Sequence, residues 1–142
     1  MPTAGTTAPD PDPATKEQPV STDDPNATTH TAEGATSLPA AAEQLLATAM
    51  ASSARRAGQT LIPGAHAPLK QTLLALGAGA SLDEHESPTA ATLQVLHGKV
   101  RLGAGKAETT LSVGDFAPIP PVRHHLDAIE DAVVLLTAVQ LR

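Results

Sequence analysis

From Gln59 onward, short apolar runs alternate with Gly, Pro, Asp and Ser, and that rhythm is what most constrains the fold of this chain. Punctuation at such short intervals leaves no room for helices of ordinary length, whereas strands of four to eight residues fit between the breaks. Strands are expected near 69–77, 90–97, 99–103, 108–112, 116–119, 123–129 and 132–140. Between them lie the turn segments GAGAS, HGK, GAGKAE, SVGD, IPP and AIED. The pattern predicts an all-β sandwich or barrel, and the turn at Gly98 predicts a hairpin joining 90–97 to 99–103.

Upstream the character of the chain changes twice. After Pro39, AAAEQLLATAMASSARR sets Leu45, Leu46 and Met50 at near-helical spacing among alanines, which predicts one short amphipathic helix within a segment 38–58. Residues 1–37 hold six prolines and nine threonines, and apart from proline only Met1 and Val20 there carry an apolar side chain larger than that of alanine. A segment of that composition cannot bury enough apolar surface to offset its chain entropy, so a disordered tail is expected. The organisation expected is tail 1–37, helical segment 38–58 and barrel 59–142.

Charge narrows the function classes. In the tail Asp10, Asp12, Glu17, Asp23, Asp24 and Glu33 face Lys16 alone, so nearly all of the chain's net charge of −6 sits there and the remainder is close to neutral. There is no basic stripe, no Trp or Tyr and a single Phe, Phe116, so no nucleic-acid partner is expected. No stretch reaches the roughly 18 apolar residues of a membrane span and no secretory leader is recognisable, so the expectation is no membrane association and a cytoplasmic location. The absence of cysteine removes disulfides, thiolate metal sites and cysteine nucleophiles. Neither a serine nucleophile elbow nor a phosphate-cradling or dinucleotide-binding glycine loop is present, because the glycine runs precede strands and not helices.

The spacing of Gly, His and Pro within the strand region resembles the cupins, small antiparallel barrels built from two adjoining motifs. Their first motif, G-x5-H-x-H-x3,4-E-x6-G, meets Gly79, His85 and Gly98 here, with Ser87 at its second histidine and Ala91 at its glutamate. The second, G-x5-P-x-G-x2-H-x3-N, meets Gly114 and Pro120, with Val122 for its glycine and Ile129 for its asparagine. Strict spacing puts its histidine at His125. Strand alternation favours His124 instead, because Leu126 and Ala128 follow it on the same parity. The stretches LKQTLLALGAG, ATLQVLHGKVRL and IPPVRHHLDAIEDAVVLLT are similar to those of small single-domain bacterial cupins (RmlC-like), over about residues 59–142. The resemblance implies a double-stranded β-helix, or jelly-roll, barrel preceded by one short α-helix.

Cupin metal centres generally use both histidines and the glutamate of the first motif and the histidine of the second. The resemblance thus carries over His85 and His124 and finds two ligand positions lost, at Ser87 and Ala91. Two imidazoles bind far less tightly than three or four protein ligands. No cofactor is firmly implied, and at most a weakly bound Zn, Mn, Fe or Ni. Asp83, two residues before His85, is the nearby carboxylate whose parity would let it join them. His125 and His66 are weaker candidates, and His97 beside Gly98 reads as a solvent-facing turn residue. The function expected is a non-catalytic or weakly metal-binding module with a small-molecule sensing or accessory role, its ligand small and apolar because stacking aromatics are lacking. The alternative is a metal-dependent oxygenase or isomerase using His85, His124 and Asp83, and the sequence leans away from an enzyme. The segment 132–140, apolar on both faces, further predicts a homodimer.

Overall fold

The structure is a computed structural model that describes residues 34–85 and 90–139, with the side chains of 83–85 left out. Of the tail expected over residues 1–37, residues 1–33 lie outside the described residues, as does Ser87. The chain divides into two compact units, Met1–Ala41 and Ala42–Arg142. In the first, Ser37 caps a helix start: its carbonyl accepts from the Ala41 amide at 2.9 Å and its hydroxyl from the Ala40 amide at 3.3 Å. Helix α1 (Leu38–Ala51) begins there, with Pro39 in a first turn that has no need of its missing amide.

Within the second unit Ala42, Leu45 and Ala49 form the buried stripe of α1, with Leu46 and Met50 half-buried beside it. The helix stops earlier than expected. Arg55 takes a left-handed conformation, φ 57°, and turns the chain into strand β1 (Arg56–Thr60), where a continuation of the helical segment to 58 was expected. Eight strands follow: β2 (Leu69–Leu76), β3 (Ser81–His85), β4 (Ala91–His97), β5 (Lys99–Ala104), β6 (Ala107–Ser112), β7 (Phe116–Pro118), β8 (His124–Ala128) and β9 (Ala132–Val139).

They form two antiparallel sheets, one in the order β1-β2-β9-β4-β7 and the other β3-β8-β5-β6. The sheets face one another across a core drawn from both, with Leu76, Leu93, Val95, Ala132 and Val134 on one side and Val100, Leu102, Leu111, Leu126 and Ala128 on the other. Burial of these leucines and valines, each worth about 1.5–3 kcal/mol, is what holds an almost aromatic-free barrel together. Strands β1 and β3 were not foreseen. Both are sheet edges, held by backbone pairing to a single neighbour, and neither RAGQT nor SLDEH carries an apolar alternation.

The hairpin expected at Gly98 is not one. β4 and β5 belong to different sheets, and Gly98 carries the chain across the barrel from one to the other. Its φ is +77°, and a Cβ added there would lie 2.0 Å from the Asp131 carbonyl oxygen, so the crossing demands glycine twice over. The two-sided apolarity of β9 also has an answer within the chain. Val134 faces the core, and Val133, on the other side, is fully buried too, together with Leu73 and Ala75 of β2 on that same outer face. Among the described residues no helix is long and apolar enough to cross a membrane.

Candidate functional site

Strand β8 decides which histidine faces inward. His124, Leu126 and Ala128 are buried while His125 and Asp127 between them are half-buried, so the period of two sets His124 on the core face. His124 is the one polar side chain among the described residues that is buried, at 3% exposure. Its Nδ1 lies 2.9 Å from the carbonyl oxygen of Val122, two residues back along its own chain. A carbonyl can only accept, so Nδ1 carries the proton and in the neutral ring the lone pair belongs to Nε2.

The ladder then sets the surroundings. Opposite His124 stand Ala104 of β5 and the backbone of His85 of β3, while the next row inward is Leu82, Leu126 and Leu102. The row beneath the imidazole is aliphatic.

The first-motif residues are only partly brought together. The backbone of His85 pairs with that of His124. Asp83 fares differently. From Leu82 to His85 is three residues, and from their partners Leu126 to His124 only two, so a β-bulge intervenes and the even count linking Asp83 to His85 no longer fixes a shared face. Ala91, at the glutamate position, begins β4 on the parity of Leu93 and Val95 and pairs with Ala138, so that two methyl groups meet where a carboxylate would be needed. Among the described residues no three His, Asp or Glu side chains gather as a metal-binding group. Across the motif positions the donor set is two imidazoles, a hydroxyl and a methyl, which does not fit a cupin metal centre.

The other histidines lie elsewhere. His66 is exposed in the loop between β1 and β2, and His97 is exposed at the end of β4. His125 is on the outer face of its sheet, its Nε2 3.5 Å from the carboxylate of Asp127, which in turn sits 3.9 Å from Arg101. The imidazole of His125 occupies the space above Gly103, whose added Cβ would come within 2.3 Å of the ring. Gly103 escaped the sequence reading although a lone glycine inside a strand signals close approach by another group.

A separate hollow of about 510 Å³ opens at the end of the other sheet, lined by Thr92, Pro118, Thr137 and Val139 together with the core-side Ala91 and Ile119. It lies where β7, β4 and β9 end together. Its lining is aliphatic apart from the two threonines, which face each other across the β4–β9 ladder.

No family model matches the sequence, and no curated protein does. Solved structures do. A conserved protein of unknown function from Streptococcus pyogenes superposes with a TM-score of 0.58 at 23% identity, over 64% of this chain and 79% of that one. An RmlC-like cupin from Shewanella frigidimarina superposes with a TM-score of 0.54 at 19% identity, over 61% and 78%. The chain has the cupin fold. An HTH_3 family transcriptional regulator from Vibrio cholerae superposes with a TM-score of 0.53 at 20% identity, over 61% of this chain and 52% of that one. The two facing sheets are therefore the double-stranded β-helix that the sequence resemblance implied.

Proposed function

We propose that this cupin is a small-molecule-binding module of sensing or accessory type, without a tightly bound catalytic metal. The observation that carries the reading is His124: a single buried imidazole, its tautomer fixed by Val122, standing over an aliphatic floor. Such a group recognises one hydrogen-bonding atom of a ligand that is otherwise apolar. The metal-dependent alternative keeps one supporting observation, the pairing of His85 with His124, but lacks the carboxylate at Ala91. A sensing role also accords with the similarity to part of a transcriptional regulator from Vibrio cholerae.

The test is a screen of small alcohols, ketones and carboxylic acids by nuclear magnetic resonance on protein with labelled histidine. Binding should move the His124 ring resonances and vanish in His124→Ala while surviving in His125→Ala. Ligands that bind His124→Ala as well as the wild type would refute the assignment.

A further inference from the structure

The hollow and His124 lie at the same end of the barrel. β3 ends at His85 beside the start of β8 at His124, and β4 begins at Ala91 beside the segment that leaves β7 at Pro118. That segment, running from Pro118 to His124, serves both features. Ile119 and Pro121 line the hollow, and the next residue, Val122, supplies the carbonyl that holds the His124 ring. Neighbouring Cα atoms are ~3.8 Å apart and the carbonyl lies 2.9 Å from Nδ1, so the Pro121 Cα and the imidazole are within about 9 Å of one another.

The core-side wall decides what the hollow can hold. Ala91 stands at the glutamate position of the cupin motif, and its carbonyl accepts from the Ile119 amide at 2.9 Å, which fixes the two residues side by side. A carboxylate there would set a charge into an aliphatic wall, at a large desolvation cost. The methyl group instead leaves that wall apolar, and about 510 Å³ is within the range of small-molecule sites. We propose that the hollow is an aliphatic subsite for the ligand that His124 reads, with Ala91 as the residue that sets which hydrocarbon chain it accepts. The proposal rests on the reading of His124 as a small-molecule-binding group, and it assigns the ligand's class: an unbranched aliphatic alcohol. The hydroxyl, able both to donate and to accept, goes to the imidazole, and the chain goes to the hollow. At the polar edge of the hollow the Thr137 hydroxyl already accepts from the Gln71 amide at 3.1 Å, so that edge offers little to a strongly polar guest.

Titration of the full chain with straight-chain primary alcohols from ethanol to octanol tests this, followed by nuclear magnetic resonance on labelled histidine rings and labelled isoleucine and valine methyls. Affinity should rise about fourfold for each methylene that enters the hollow. The longer alcohols should move the Ile119 and Val139 methyl resonances as well as the His124 ring. Ala91→Glu should flatten the rise while ethanol and propanol still move the His124 ring, and Ala91→Leu should shorten the longest chain that gains affinity. His124→Ala should weaken every member of the series by a similar factor. Circular dichroism verifies that each variant is folded. Affinity independent of chain length in the wild type, or a rise that both Ala91 variants leave intact, would overturn the subsite and leave the His124 reading standing. A series that His124→Ala leaves unaltered would overturn that reading and the subsite with it, as would the absence of binding by every alcohol.

Discussion

On the inner face of β8 an imidazole is sealed from solvent and tied to the carbonyl of Val122, whereas on the outer face its sequence neighbour lies over Gly103 beside Asp127. His124 and His125 differ by one step along a strand, and the pleat alone separates them. Their surroundings differ in kind. The inner ring has leucines in the next row and a fixed tautomer, so it is equipped to read one polar atom in an apolar setting. The outer ring sits in a half-exposed row of charges with Asp127 and Arg101, where solvent screens what the ion pairs contribute. Spacing in the second motif pointed to the outer residue and alternation to the inner one. Alternation prevails because the register of a half-buried strand is set by which side chains must reach the core.

Substitutions can break that contrast or refine it. The largest loss is expected from Gly98→Ala, which strikes the crossing that gives β4 and β5 to separate sheets and so creates an inner and an outer face at all. A left-handed backbone and collision with the Asp131 carbonyl should together cost roughly 2–4 kcal/mol in urea denaturation. Next comes His124→Leu. It suits the apolar floor but leaves the Val122 carbonyl without its partner, and should cost about 1–2 kcal/mol. Gly103→Ala should cost less, about 1 kcal/mol, because the atoms it meets belong to an imidazole that can swing away. Combining it with His125→Ala should return most of that loss, since the two residues contend for one space. His125→Ala alone should change stability by no more than ~0.5 kcal/mol. Equal losses for His124→Leu and His125→Ala would erase the distinction between the faces.

Much of this was legible in the sequence, and the limits have physical causes. The barrel is readable because most of its strands carry apolar side chains at the period of the pleat or in continuous runs, and the parity of Leu126 and Ala128 alone sets His124 inward. β1 and β3 were not readable, since an edge strand can be held by backbone pairing without an apolar pattern of its own. The bulge between Leu82 and His85 was equally hidden, because an extra residue leaves no mark in residue types and yet undoes the parity argument for Asp83. At Gly98 the turn was recognised but its partner was not: a glycine announces the bend, and only the sheet order tells which strands it separates. The seat of His125 on Gly103 required a cross-strand register that spacing along one strand cannot supply.

The central claim is that the barrel keeps an inward imidazole without a competent metal centre, and calorimetric titration of zinc tests it most directly. Wild-type protein should bind zinc more weakly than micromolar. Ser87→His with Ala91→Glu should tighten binding greatly, since even the outer partners of metal ligands are each worth roughly 10–100-fold in affinity. That gain should disappear on adding His124→Ala and persist on adding His125→Ala. Wild-type binding tighter than micromolar, lost in Asp83→Ala, would contradict the account and establish the metal-dependent alternative in its place.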